Sequence, residues 1–275
     1  MTIMIPVFIL AIVSFTAVFF AGIHVWAQSL VIFSIFGITA AALWAWAINK
    51  AFKRDDQATK VILDPVSISG ILFLLWAGFQ LIPLPDGILQ FLSPSTKAAW
   101  ETTGMAGGKG PFSISLYPYV TLNSVIFGVA LLLFYWLALY GLHRRSRVHV
   151  LISGLLILGT LVGLYALVQA GTASPYVLWW KNNITEIVSG TFINRNHFAA
   201  FLSMLVCLGI GYLWALGKEE EGATWGRSSG TRRVIVLLGV ALMMAALLAT
   251  ASRGGLLSLL GALIFMVGMM LARFV

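Results

Sequence analysis

A short polar segment, Asn194-Arg195-Asn196-His197, stands directly before a long apolar run in a chain that otherwise carries little charge. An asparagine at the start of a helix accepts a hydrogen bond from an unpaired backbone N–H, so Asn194 and Asn196 are both candidate N-caps. The first turn of a helix carries partial positive charge and free N–H donors, and Arg195 adds a full positive charge there. This combination of residues predicts an anion-binding site.

A second basic position, Arg253, lies in the segment "TASRGGLLSLL" between the last two apolar runs. The glycines that follow it, Gly254 and Gly255, would let a ligand or another backbone approach closely. Two guanidinium groups at one membrane depth suit a diphosphate, because their planar forks match phosphate oxygens and stay charged. The alternative is that each arginine only extends to the lipid headgroups, as arginines at helix ends often do.

His197 has two open interpretations. It could act as a general base near neutral pH, or it could hydrogen-bond a neighbouring loop at the start of the helix, and we favour the loop bond. The candidate catalytic residues are Arg195, Arg253 and His197, and the candidate substrate-binding residues are Thr191, Asn194, Asn196 and Ser252.

The composition indicates the class of protein. Of the 275 residues, 60% are hydrophobic and 9% are charged, whereas about a quarter of the residues in soluble proteins are charged. A helix needs about 20 apolar residues to cross the hydrocarbon layer, and several such runs are present. We therefore expect an all-α fold, a polytopic transmembrane helical bundle with no soluble domain of ordinary size.

The chain is predicted to form a single transmembrane domain, residues 1–275, with about eight spans. The predicted spans are about 3–21, 27–48, 66–83, 122–142, 148–170, 197–216, 233–251 and 255–273. The first apolar run lacks the basic residues that begin a signal peptide, so we favour a span over that alternative. Between Gly87 and Trp100 we expect a short helix at the membrane interface, with Trp100 as an anchor.

The basic residues predict the orientation and account for the net charge of +8. With a cytoplasmic N-terminus, twelve of the 17 lysines and arginines lie on the inner side and five on the outer side, as the positive-inside rule requires. The charge therefore reflects topology, and we expect no nucleic-acid partner. This orientation places Arg195 and Arg253 at the outer face. Trp179 and Trp180 lie on the same side, where we favour an aromatic belt over a sugar-stacking role.

Metal or cofactor chemistry has no support in the sequence. The four histidines show no ligand spacing, and the single cysteine, Cys207, lies within an apolar run. We expect neither a metal ion nor an organic cofactor.

Four segments resemble, in this order, the O-antigen ligase/polymerase family of polytopic bacterial membrane glycosyltransferases. They are "QLIPLPDGILQFLSP", "ISLYPYVTLNSVIFGVALLL", "SGTFINRNHFAAFLSM" and "ASRGGLLSLLGAL", and the resemblance covers roughly Pro65 to Val275. It implies an inverting, metal-independent transfer at the periplasmic face of the bacterial inner membrane. The donor would be an undecaprenyl-diphosphate-linked glycan, and the acceptor another lipid-linked glycan or the lipid A core. Membrane lipids and proteins of polysaccharide assembly are further expected partners.

The resemblance also implies roles for residues. Arginines near the outer membrane boundary of family members engage the donor diphosphate, and Arg195 and Arg253 match those positions. They would stabilise the charge that develops as the glycosidic bond breaks. Family members continue through a large periplasmic loop that supplies a histidine, so we expect this chain, which stops at "LARFV", to be the N-terminal part of a longer protein. His197 is not equivalent to that loop histidine.

A flippase or transporter of polyprenyl-diphosphate-linked glycans is the second hypothesis. Its arginines would bind the same diphosphate without bond cleavage. Transporters often carry broken helices and polar groups near the middle of the membrane, whereas here the apolar runs have uncharged centres and the charge collects at one face. This distribution favours the enzyme.

Overall fold

A computed structural model describes residues 4–53, 64–103, 111–172, 174, 176–178, 180–181, 188–221 and 227–272. Their helices are α1 (Met4–Val18), α2 (Val25–Lys53), α3 (Pro65–Phe79), α4 (Asp86–Leu92), α5 (Pro94–Thr102), α6 (Pro118–Gly141), α7 (Arg145–Thr172), α8 (Arg195–Glu221), α9 (Arg227–Ala249) and α10 (Arg253–Ala272). A 3₁₀ turn occupies Phe20–Gly22, and two short strands, β1 (Tyr176–Val177) and β2 (Trp180–Lys181), pair antiparallel. The all-α prediction is confirmed.

Six of the described helices are long and apolar enough to cross a membrane. They are α2, α6, α7, α8, α9 and α10, and they support a multi-pass membrane protein. The apolar helices α1 and α3 contain 15 residues each, a length of about 22 Å against a hydrocarbon layer of about 30 Å. The count of eight spans and the cytoplasmic N-terminus therefore stay predictions.

The chain divides into two compact units, one formed by residues 1–31 and 140–275 and the other by residues 32–139. The first unit contains α1, α7, α8, α9, α10 and the β1–β2 hairpin, and the second contains α3, α4 and α5 with most of α2 and α6. Every candidate site residue belongs to the first unit. Whether the chain acts as a single transmembrane domain stays a prediction.

Small residues let α7, α8 and α9 pack closely in the first unit. A methyl group at Gly159 of α7 would lie 2.5 Å from Cδ1 of Leu205 in α8 and 2.6 Å from Sδ of Met243 in α9. A methyl group at Gly239 of α9 would lie 2.7 Å from Oγ1 of Thr160 in α7. Helices within a membrane gain little from the hydrophobic effect against each other, so close backbone approach at small residues is what stabilises their packing.

A polar cluster joins α3 to α6 in the second unit. Asp64 caps α3, because its Oδ1 accepts hydrogen bonds from the N–H groups of Val66 (2.9 Å) and Ser67 (3.0 Å), and its Oδ2 accepts from the Ser67 hydroxyl (2.7 Å). From α6, the Tyr135 hydroxyl donates to Asp64 (3.0 Å) and the Trp136 indole donates to Ser67 Oγ (2.8 Å). The Ser67 hydroxyl is the main cause that holds the pKa of the Asp64 carboxyl below its usual value, and the Tyr135 hydroxyl adds to it.

The expected interfacial helix between Gly87 and Trp100 is instead two short helices, α4 and α5. Pro94 separates them, because its ring restricts the preceding residue to an extended conformation and it has no N–H to donate. The Trp100 indole donates to the Ser113 carbonyl (3.0 Å) and stacks on the Phe112 ring at 5.3 Å between centroids. Trp100 therefore packs within its own loop.

The Asp64 cluster predicts a pH-dependent stability. The pKa of Asp64 is lowered in the folded protein, so its carboxylate stabilises the fold above the ordinary pKa of 3.8, and this contribution is lost as the pH falls below that value. We expect the Tm of the protein in detergent to fall between about pH 5 and about pH 3 by less in Asp64→Asn and Ser67→Ala than in the unaltered chain. The control is Ser69→Ala, an exposed serine of the same helix that does not contact Asp64. Equal pH slopes in all four proteins would contradict the prediction.

Candidate functional site

The starts of α8 and α10 lie side by side. Arg195 is the first residue of α8 and Arg253 is the first residue of α10. Next to them, the Ser252 hydroxyl donates a hydrogen bond to Oδ1 of Asn196 at 2.8 Å. This bond joins two residues that are 56 positions apart in the sequence. The structure thus brings four of the predicted site residues to one place.

A glycine allows the two helices to approach this closely. A Cβ placed on Gly255 of α10 would lie 2.5 Å from the Cβ of Ala199 in α8. The Ser203 hydroxyl bridges the same contact, since it donates to the carbonyl of Ala199 (2.8 Å) and lies 3.3 Å from the carbonyl of Gly255. A side chain at position 255 would therefore separate the two helix starts.

Both helix starts are capped by polar side chains. The Asn194 side chain accepts a hydrogen bond from the N–H of Asn196 (2.8 Å), so Asn194 is the N-cap of α8. The Ser252 hydroxyl accepts from the N–H of Gly255 (3.1 Å) and caps α10 in the same way. Asn196, the other candidate cap, uses its side-chain oxygen to bind Ser252 instead.

The turn between α9 and α10 places Ser252. Thr250 is fully buried, and its hydroxyl donates to the carbonyl of Leu247 (2.7 Å) and accepts from the N–H of Ser252 (3.2 Å). Ala251 adopts a left-handed conformation with φ 49°, which costs an L-residue about 1–2 kcal/mol. The hydrogen bonds of Thr250 support this strained turn, which leaves Arg253 exposed at the start of α10.

Positive charge at the two helix starts has no protein counter-ion among the described residues. Arg195 is half-buried and Arg253 is exposed, and neither guanidinium forms an ion pair or hydrogen bond within the described part of the chain. Two helix dipoles present their positive ends at the same place. Guanidinium forks and free backbone N–H groups together can bind an anion with several charged oxygens.

His197 is exposed at the start of α8. The described residues include no hydrogen-bond partner for it, and residues 182–187 of the preceding loop lie outside them, so the expected hydrogen bond to a loop stays a prediction.

Thr191 supports the loop that leads into α8. It is buried, and its hydroxyl donates to the carbonyl of Ala17 near the end of α1 at 2.6 Å. This bond occupies the donor of Thr191 and stabilises the loop directly before Asn194. A substrate-binding role for Thr191 stays a prediction.

Gln169 of α7 is a supporting residue that the sequence did not reveal. Its Oε1 accepts hydrogen bonds from the N–H groups of Ser189 (3.1 Å) and Gly190 (3.0 Å), and its Nε2 donates to the carbonyl of Tyr176 (2.9 Å). The side chain is 7% exposed. One buried amide therefore connects the β1–β2 hairpin to the loop before Arg195, and its only sequence signal is a single glutamine in an apolar run.

Gly190 is required in this loop for two reasons. Its φ is +59°, a conformation that side chains disfavour, and a Cβ there would lie 2.6 Å from the ring of Phe198. Phe198 is fully buried, and its ring packs on Phe192 at 5.4 Å between centroids. The start of α8 is thus held by the packing of Phe198 and by the hydrogen bonds of Gln169 to the preceding loop.

Two further expectations concern the outer tryptophans and metal binding. Trp179 and the side chain of Trp180 lie outside the described residues, so the aromatic-belt prediction is untested there. Within the described part of the chain, no group of three or more His, Cys, Asp or Glu side chains could hold a metal ion.

Comparisons of the chain with known protein families, with curated proteins and with solved structures give no match. Membership of the O-antigen ligase/polymerase family therefore stays a prediction from the four quoted segments. The geometry of the two helix starts is independent of that resemblance.

The role of Gln169 can be tested by its effect on stability. Gln169→Leu would leave the buried N–H groups of Ser189 and Gly190 without a partner and would remove one of the two donors to the Tyr176 carbonyl, and we expect it to lower the free energy of unfolding by about 2–4 kcal/mol. Gln169→Glu keeps an oxygen acceptor for both N–H groups and should lose less. The measurement is thermal or denaturant unfolding in detergent, with Gln28→Leu, at an exposed glutamine of α2, as the control. Equal losses from the two leucine substitutions would refute the proposed support.

The contact between the helix starts can be tested by cross-linking. In a chain carrying Cys207→Ala, which removes the single native cysteine, we expect Asn196→Cys and Ser252→Cys to be joined rapidly by a short bis-methanethiosulfonate reagent. The control combines Asn196→Cys with Ser146→Cys, which lies at the start of α7. Mass spectrometry of the digested protein measures the cross-link. No cross-link at 196 and 252, or an equal yield in the control, would contradict the geometry.

Proposed function

We propose that the starts of α8 and α10 form the diphosphate site of a membrane glycosyltransferase of the polymerase or ligase type. The donor is a polyprenyl-diphosphate-linked glycan, and the acceptor is another lipid-linked glycan or the lipid A core at the periplasmic face of the inner membrane. The observation that carries this proposal is the Ser252–Asn196 hydrogen bond, which pairs two helix starts that each begin with an arginine.

The chemistry follows from where charge develops. The acceptor hydroxyl attacks the anomeric carbon on the face opposite the diphosphate, a new C–O bond forms, and the bond to the diphosphate oxygen breaks. The departing diphosphate gains negative charge in this step. Arg195 and Arg253 stabilise that charge together with the free N–H groups of the two helix starts, and these donors stabilise the transition state more than the ground state.

The proton of the acceptor hydroxyl needs a base. His197 is the candidate, because it is exposed directly after the arginine and asparagine that begin α8 and forms no hydrogen bond with the described residues. Histidine is the side chain that most often serves as a general base in enzymes. Asn194 and Asn196 shape the helix start and hold Arg195 in place, and Ser252 does the same for Arg253.

Substitution of the arginines in the full-length protein tests the site. We expect Arg195→Ala and Arg253→Ala each to lower glycan transfer by roughly 100-fold at an unchanged protein level, because each removes a donor to the developing charge. Arg195→Lys should retain part of the activity, since it keeps the charge and loses the fork. Analysis of the lipid-linked glycan by extraction and mass spectrometry should show short, untransferred glycan on its lipid at the periplasmic face.

The matched control is Arg145→Ala, an exposed arginine at the first residue of α7, which should leave transfer unchanged. Accumulation of the lipid-linked glycan at the cytoplasmic face would support transport of the lipid instead. Normal polymer from both Arg195→Ala and Arg253→Ala would refute the site.

A further inference from the structure

A groove lies between α7 and α9 at the end of the first unit opposite the two helix starts. Its volume is ≈ 590 Å³, and its walls include Ile157 and Leu161 of α7 and Ile235 and Met243 of α9. Tyr212, a buried residue of α8, also lines it. The lining is therefore mainly apolar and comes from three helices that are long enough to span a membrane.

The side walls of the groove face outward from the helix bundle. Ile157 and Leu161 are each 61% exposed, and Ile235 is 64% exposed. Large apolar side chains exposed to this extent on membrane-length helices are expected to contact lipid. An acyl chain can therefore reach the groove directly from the bilayer.

The length of the groove corresponds to one leaflet. Along α9 it extends from Arg232 to Met243, a rise of about 16 Å at 1.5 Å per residue. The hydrocarbon layer is about 30 Å thick, so the groove extends from one membrane surface to about the middle of the bilayer. This length matches the acyl chain of a phospholipid from a single leaflet.

Arg232 places a positive charge at the end of the groove that lies nearest the membrane surface. Arg232 is exposed and forms no ion pair or hydrogen bond with the backbone and side chains that the structure describes. The hydroxyl-bearing residues Ser153 and Thr231 line the same end of the groove. An arginine at this depth attracts phosphate, and basic pockets between transmembrane helices favour anionic headgroups over neutral ones.

We propose that this groove binds one anionic phospholipid, with an acyl chain between α7 and α9 and the phosphate paired with Arg232. An anionic headgroup complements the guanidinium of Arg232, which has no ion-pair partner among the side chains that the structure describes, and this favours a phospholipid over a helix of a second chain. The site is separate from the diphosphate site and does not depend on the proposed glycosyltransferase activity.

The test uses the purified full chain in a neutral detergent, titrated with palmitoyl-oleoyl phosphatidylglycerol or palmitoyl-oleoyl phosphatidylcholine. Native mass spectrometry measures the retained lipid, and thermal unfolding measures the shift in Tm. We expect phosphatidylglycerol to be retained and to raise Tm more than phosphatidylcholine does. Arg232→Gln should weaken the binding of phosphatidylglycerol roughly five-fold, and Arg145→Gln, an exposed arginine outside the groove, should leave it unchanged.

A second variant tests the acyl chain. Ile157→Trp places a larger apolar side chain at an exposed wall of the groove, so the protein should fold with an unchanged Tm without lipid and should lose retention of phosphatidylglycerol. If it does not fold, Ile235→Trp makes the same test from α9. Three results would each overturn the proposal. The two lipids could be retained equally, Arg232→Gln and Arg145→Gln could have equal effects, or the tryptophan variant could retain phosphatidylglycerol in full. A second copy of the chain bound at this groove, seen as a dimer in the native mass spectra, would overturn it as well.

Discussion

The contact between the starts of α8 and α10 is the constraint on which the candidate site depends. A helix start leaves backbone N–H groups without partners, and here two such starts lie together, joined by Ser252 and Asn196. The approach requires Gly255, since a Cβ at that position would collide with Ala199. Positive charge from two dipoles and two arginines is thereby concentrated where the described chain supplies no carboxylate, and an anion is what such a place stabilises.

Buried polar groups elsewhere in the first unit support this contact. Gln169 accepts hydrogen bonds from Ser189 and Gly190, and Thr191 donates to Ala17, so both side chains fix the loop that leads into α8. Thr250 does the same for the turn that leads into α10. In an apolar bundle each of these groups would be costly without a partner. Their location around the two loops therefore indicates that these groups keep the geometry of the helix starts rigid.

Arginine serves different purposes at different places in the same unit, and its partners decide which. Arg147 is buried, and it donates to the carbonyl of Gly141 at the end of α6 (2.7 Å), where a cation complements the helix dipole. Arg232 stands at the rim of an apolar groove, and Arg195 and Arg253 stand at helix starts. The positive-inside rule sorts these residues by side of the membrane, but it does not separate these roles.

The apolar runs and the polar residues before them predict where the helices form and how α8 begins. Each predicted span contains a helix, as 197–216 falls within α8, because a chain in hydrocarbon must satisfy its backbone groups within the helix. The cap by Asn194 is equally predictable from the sequence, since its hydrogen bond joins residues that are two positions apart. The hydrogen bond between Asn196 and Ser252 and the support of the loop by Gln169 could not be predicted in this way. Those bonds join residues 56 and about 20 positions apart, and only the packing of helices brings such residues into contact.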